Sequence, residues 1–246
     1  MSLCLSSWKF KNPEYELRVL DSSSLGNWTD IHRKVPHWGE LPVQKRSNLL
    51  RLDLLEKYGG VWVDATLYCL QPLSKWLRVD RVSGFSVFDL PREKNRLFAS
   101  FFIAAEAGNP FIRRWHNRHQ EFFSNRPRQM RYSRKKYLIK AWPFLWTRWG
   151  APLLTFGVSC RKWGYPYFIF HFLATRELFF HPDSMYRWLR RSRTRCSFIS
   201  STSIDNQVET VGELVVSEAS TALKLSNRRH LSDAAFDVLQ NALTTR

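Results

Sequence analysis

The sequence predicts an α/β fold of one domain spanning residues 1–246. A helical apolar repeat at 43–58 stops at Gly59-Gly60 and runs into Val61-Trp62-Val63, a charge-free β run of the kind buried on both faces inside a sheet. Further β runs are predicted at 82–88 and 101–105, the second followed by a turn into a helix. Hydrophobic residues make up 44% of the chain, with 11 Trp and 18 Phe, and 246 residues suffice for one full core.

The central stretch is VQKRSNLLRLDLLEKYGGVWVDATLYCL, residues 43–70. Helical spacing puts Leu50, Leu54 and Tyr58 on one stripe, Leu52 and Leu55 beside it, and Asn48 and Arg51 on a shared face. Gly59 and Gly60 supply the left-handed residue that ends a helix without a Cβ penalty. The buried run exits at Asp64. Ligands of open α/β sheets gather at the carboxyl edge of the strands, which makes Asp64 a candidate site residue. The competing reading is a turn aspartate bonded to nearby backbone amides.

The other elements follow in order. Residues 2–11 read as a helix, Asn12-Pro13 as a turn, and Tyr15–Leu20 as a strand with Asp21 at its exit. Ser22–Ser24 are expected to cap a helix over 25–32, and Lys34–Leu41, broken by Pro and Gly, to be irregular. Gln71-Pro72-Leu73 is a turn. Asn109 should cap a helix over Phe111–Phe123, with Pro110 in its first turn. His116 and His119, three apart, are compatible with a metal pair, but no third ligand lies at matching spacing and a solvated helix face is the expectation. Tyr165–Phe180 reads as a buried helix holding His171 as a satisfied interior histidine. His181-Pro182-Asp183 would cap a second helix to Arg191. Leu231–Leu243 is amphipathic, with Asp233 and Asp237 outward.

SNLLRLDLLEKYGGVWVDATLYCLQPL resembles the central segment of the DxD-motif sugar-transferase family, in its capsular-polysaccharide-synthesis branch. The family pattern is a Ser-Asp-x-x-Arg helix, Tyr-Gly-Gly, an apolar strand, and an Asp-x-Asp or Asp-Ala-Thr ending. Ser47, Asn48, Arg51, Tyr58, Gly59, Gly60, Asp64, Ala65 and Thr66 stand at those positions. Cys4, Ser7, Trp8, Asn12, Pro13, Tyr15 and Glu16 fit the family's C-x-x-S-W-x-x-x-N-P-x-Y-E segment, and FFIAAEAGNPFI resembles its next block. Ala222–Ser226 is faintly similar to a family end block with a Lys-Leu-Thr core, from which no residue is carried over. The chain departs at Asn48, where the family has an aspartate, and at Thr66, where many members have a second one. Family members also carry, ahead of this point, a first strand rich in Ile and Trp. A sheet without it must pair its backbone groups elsewhere.

The resemblance implies a GT-A, Rossmann-like nucleotide-sugar transferase fold with additional C-terminal helices and without the usual first strand. Residues 1–123 would form the nucleotide-sugar-binding half and 124–246 a basic, aromatic and helical half facing acceptor or membrane. The implied reaction is retaining transfer of a hexose from a nucleotide diphosphate sugar to a glycan or lipid-linked acceptor in polysaccharide biosynthesis. Asp64 and Arg51 are the implied catalytic pair. Asp64 would contact cation and ribose, Thr66 would assist at the metal, Arg51 would hold donor sugar or phosphate oxygens, and Asn48 a donor hydroxyl. The implied cofactor is Mn²⁺ or Mg²⁺, which hard oxygen ligands suit. A second class of function stays open: a transferase relic that binds anionic glycan, lipid or nucleic acid without chemistry. Asn48 and the absent strand favour it, and the intact Arg51, Gly59-Gly60 and Asp64 set opposes it.

A formal net charge of +17 asks for an acidic partner or surface. In 124–149, Tyr132, Tyr137, Trp142 and Trp146 fall among Arg128, Arg131, Lys135 and Lys140. This pattern suits single-stranded nucleic acid, an anionic membrane surface, or a solvated basic face. For a maker of surface polymers the membrane reading is the more economical, which places the chain in the cytoplasm at the inner membrane face, without a nucleic-acid partner. Cys4, Cys69, Cys160 and Cys196 form no C-x-x-C pair, so neither zinc nor a disulfide framework is expected. The start has no basic n-region of a signal peptide, and 165–180 is interrupted by His171, Arg176 and Glu177, too charged to span a bilayer.

Overall fold

The computed structural model describes residues 2–77, 84–89, 96–124, 168–184, 193–194, 197–198, 211–213, 215, 221–225 and 231–244. The chain is mixed α/β and divides into two units that interleave along it. Met1–Val19, Val63–Arg78 and Arg193–Arg246 form the first, Leu20–Trp62 and Val79–Ser192 the second.

In the first unit, α1 (Ser2–Lys11) packs on β2 (Leu67–Cys69) and on α7 (Asp233–Thr244). β7 (Ala222–Lys224) pairs antiparallel with β2, Leu67 opposite Lys224, and parallel with the two-residue strand β6 (Ser197–Phe198), which β5 (Arg193–Thr194) precedes in the chain. Leu3, Cys4, Tyr68, Leu223, Ala235 and Leu239 make the core. The spaced residues of α1 all turn toward the chain after Asp64. Trp8 Nε1 donates to the Leu67 carbonyl at 2.7 Å, the Ser7 hydroxyl accepts from the Cys69 amide at 2.9 Å, and Asn12 Oδ1 accepts from the Leu73 amide at 2.6 Å, at the start of α4 (Leu73–Trp76). α7 keeps Asp233 and Asp237 exposed, as its amphipathic pattern predicts.

In the second unit, α2 (Ile31–Lys34) and α5 (Pro110–Ser124) both pack on α3 (Val43–Tyr58), and α6 (Ile169–Phe180) packs on α5. The strands β1 (Gly60–Val63), β4 (Phe98–Ala105) and β3 (Phe85–Asp89) lie side by side in that order, β3 and β4 antiparallel. Leu49, Leu52, Leu55, Phe98, Ile103, Trp115 and Phe170 meet in its core. Trp115 lies 4.2 Å from the Phe170 ring between centroids and donates its indole N–H to the Phe170 carbonyl at 3.0 Å. Asn109 caps α5 as expected, its Oδ1 accepting from the amides of Phe111 and Ile112.

Several expectations need correction. Residues 16–20 form no regular element and carry no strand pairing among the described residues; Tyr15 and Val19 are exposed, and the Arg18 guanidinium donates to the nearby Glu16. The helix expected over 25–32 is a 3₁₀ turn at Leu25–Asn27 followed by α2, and the capping acceptor is Asp21, not the serines. Its carboxylate takes hydrogen bonds from the hydroxyls and amides of Ser23 and Ser24, which hold it well below the usual carboxylate range. α3 buries Lys45, Leu49, Arg51, Leu52 and Leu55 and leaves Tyr58 exposed, so the core face is rotated from the predicted stripe. β1 is half-buried rather than interior. His116 and His119 lie on the buried face of α5, not on a solvated one. His171 is interior, but its Nδ1 has no hydrogen-bond partner among the described residues. The basic-aromatic segment from 125 onward and the helix beyond 184 fall outside the described residues. Among the described residues no helix is long and apolar enough to cross a membrane.

Candidate active site

The turn after β1 is set by the chain itself. Gly59 (φ +67°) and Gly60 (φ +87°) stop α3 and re-aim the backbone into β1. At Gly59 no other residue fits, because a Cβ would stand 2.5 Å from the Ala107 amide nitrogen. The strand ends at Val63, and the Leu67 amide closes a tight turn onto the Asp64 carbonyl at 2.9 Å. Both readings of Asp64 are therefore present together: its main chain makes a turn, while its half-buried carboxylate faces another charged group.

That group is Lys224. The β2–β7 register sets Lys224 opposite Leu67, and the Leu225 amide donates to the Thr66 carbonyl at 2.9 Å. The Lys224 ammonium consequently reaches Asp64 Oδ2 at 3.6 Å and donates to the Thr66 hydroxyl. Side-chain exposures of 30% for Asp64 and 18% for Lys224 leave the pair open to solvent on one side. Asp64, Thr66 and Lys224 all belong to the first unit. Lys224 was missed in the sequence, although the Lys-Leu-Ser run in which it stands was the signal.

Asn48 and Arg51 lie in the second unit, on α3. Asn48 is half-buried. Arg51 is 4% exposed, its guanidinium held by the Ser47 carbonyl, the Ser47 hydroxyl and the Ser100 carbonyl. The rings of Trp62 and Phe170 lie 5.1 and 5.3 Å from it. Further buried basic groups in this unit were not anticipated. Burial lowers Lys45 to about 8. Burial first, and then Lys45, His116 and Arg51, hold His119 well below the usual imidazole range; both of its ring nitrogens lack a hydrogen-bond partner among the described residues. Between the same two helices, His116 Nδ1 lies 2.6 Å from Glu56 Oε2 and its Nε2 3.8 Å from Asp53 Oδ1, tying α5 to α3.

The cation that the family pattern implies can be tested against these donors. Mn²⁺ or Mg²⁺ takes about six oxygens in a close shell. Here the two residues at the motif positions offer one carboxylate and one hydroxyl, and an ammonium already sits on both. Among the described residues no group of three or more His, Cys, Asp or Glu side chains is placed to hold a metal. This donor set does not fit a resident divalent cation.

With the helix, the glycine stop, the strand and the Asp64 turn in place, the match that decides the family covers more than half of the chain: residues 1–142 match the family described as capsular polysaccharide synthesis proteins. The chain belongs to that family. Among curated proteins it is similar to the O-glycosyltransferase braB of Annulohypoxylon truncatum, 35% identical over 80 residues, which is 29% of this chain and 18% of that protein. The chain thus matches less than a fifth of that relative's length. No solved structure matches.

Proposed function

We propose that this capsular polysaccharide synthesis family member is a glycosyltransferase that moves a hexose from a nucleotide diphosphate sugar to a hydroxyl of a glycan or lipid-linked acceptor, on a GT-A, Rossmann-like fold. The observation that carries the reading is Asp64, held at the exit of β1 beside a hydroxyl and an ammonium, within the segment that matches the family. The likeness to an O-glycosyltransferase supports it.

In the reaction, the anomeric C–O bond to the diphosphate breaks and its electron pair stays with the diphosphate. The acceptor hydroxyl oxygen bonds to the anomeric carbon, and its proton passes to the departing diphosphate oxygen. Retention follows when the acceptor attacks the face the diphosphate leaves. Asp64 would contact the nucleotide part of the donor and Thr66 would orient it. Arg51, buried and held by Ser47 and Ser100, has its guanidinium engaged within the second unit.

The test is release of nucleoside diphosphate from a panel of nucleotide sugars, with and without a glycan acceptor. Asp64→Asn should reduce release by about a hundredfold or more, the scale of losing a fixed electrostatic partner. Equal release by Asp64→Asn, or none from any donor, would overturn the reading.

A further inference from the structure

We propose that the Lys224 ammonium takes the place of a divalent cation at Asp64 and Thr66, so that the nucleotide diphosphate is bound and released without a resident metal. The inference rests on the transferase reading above and specifies how its site is charged.

Three observations carry it. First, the ammonium stands 3.6 Å from Asp64 Oδ2 and donates to Thr66 Oγ1, the two groups that the motif would give to a metal. A hard cation coordinating those oxygens at about 2.0–2.6 Å would have to share the space with a like charge. Second, the position is built by main chain rather than by a wandering side chain. The Leu67–Lys224 register and the Leu225 amide bond to the Thr66 carbonyl fix where Lys224 leaves the sheet, and the strands beneath it are buried. Third, the charges balance. An Asp-x-Asp pair is neutralised by one divalent cation, whereas a single carboxylate with a threonine is neutralised by one ammonium. The threonine hydroxyl also accepts a hydrogen bond from a lysine without adding charge.

Chemically, the ammonium is a compact point charge with several donors, a recurring partner of phosphate oxygens. At this site it would offset the negative charge that grows on the diphosphate as the anomeric bond breaks. It neither gains nor loses a proton in the step, and the acceptor's proton still leaves with the diphosphate.

The experiment uses the full chain and two readouts. Mn²⁺ binding is followed by electron paramagnetic resonance, and binding of uridine and guanosine diphosphates by calorimetry, in EDTA and in Mn²⁺, alongside turnover of the corresponding nucleotide sugars. The wild-type chain should bind no Mn²⁺ at submillimolar concentration and should bind and turn over nucleotide equally in EDTA and in Mn²⁺. Lys224→Met should weaken nucleotide binding in EDTA at least tenfold, and Lys224→Met with Thr66→Asp should recover it only when Mn²⁺ is added. Wild-type binding or turnover that rises tenfold or more with Mn²⁺ overturns the inference while the transferase reading stands, and this comparison needs no variant to fold. EDTA-resistant binding that Lys224→Met leaves unchanged also overturns it. Failure to bind or turn over any nucleotide sugar, with or without metal, overturns the transferase reading and this inference with it.

Discussion

The indole N–H of Trp8 donates to the Leu67 carbonyl oxygen across 2.7 Å, with both residues buried. This bond fixes the first residue of β2, and so the far end of the Asp64 turn, to α1. Trp8→Phe keeps most of the buried ring area and deletes the donor. The expected loss is about 1–3 kcal/mol in urea unfolding, the cost of removing one partner of a buried hydrogen bond. Lys9→Ala, at an exposed position of the same helix, should stay within about 0.5 kcal/mol.

Gly59→Ala should be among the most damaging single-methyl changes in the chain. Its φ of +67° strains any side chain, and the added Cβ meets backbone at 2.5 Å, which cannot swing away. Strain of this kind costs about 1–3 kcal/mol before the clash is counted. Gly26→Ala, where a Cβ would have nothing within 4 Å, is the matched control and should be close to neutral. Thermal unfolding of the two variants side by side decides it.

Acid should destabilise the second unit before its carboxylates titrate. His119 and His171 are held below the usual imidazole range, by burial first and then by nearby cations: Lys45, His116 and Arg51 for His119, and Arg96, Arg51 and Lys45 for His171. In the unfolded chain both titrate near 6.5. Below that pH the unfolded state binds protons that the folded state refuses, so stability is complete above pH ~6.5 and falls as pH drops. The slope is about 1.4 kcal/mol per pH unit for each histidine. Urea midpoints between pH 7 and 5.5 should fall accordingly, and His119→Leu should remove about half of the fall. A flat profile in the wild-type chain would show that the folded state takes up these protons as readily as the unfolded chain does.

Cys4 and Cys69 should resist alkylation in the folded chain. Burial pushes the Cys69 thiol up to about 12 and raises Cys4 as well, and Cys69 Sγ lies 3.1 Å from the Gln71 carbonyl as a donor. With almost no thiolate at pH 8, iodoacetamide should label neither site until urea is added. Peptide mass spectrometry before and after denaturation reads this directly.

Much of the local structure was legible because it is written in short-range patterns. α3 was read with both of its ends, since a glycine pair is an unambiguous stop. The Asn109 cap, the helix behind it and the amphipathic α7 were read for similar reasons. Faces were harder to assign. Lys45 and Arg51 sit on the helical stripe of Leu49, Leu52 and Leu55, but their charge argues for solvent, and only the tertiary partners of Arg51, the Ser100 carbonyl and the rings of Trp62 and Phe170, explain why it is inside. His119 lies four residues after Trp115, on the apolar stripe of α5. The lack of a third ligand at matching spacing argues against a metal pair but says nothing about burial, which the spacing indicates. Tyr15–Leu20 has strand composition but no strand to pair with among the described residues, and composition cannot supply a partner.

The sequence alone determined the helix, glycine stop, strand and aspartate of residues 43–64, and through them the family, because each step depends on neighbours a few residues away. Only the tertiary structure decided what Asp64 faces. Lys224 is 160 positions later in the chain, and nothing in either segment specifies the other until β7 pairs with β2. Backbone register is a long-range quantity, fixed by which strands share hydrogen bonds and a buried face. It is this register that sets an ammonium where the motif by itself suggested a metal.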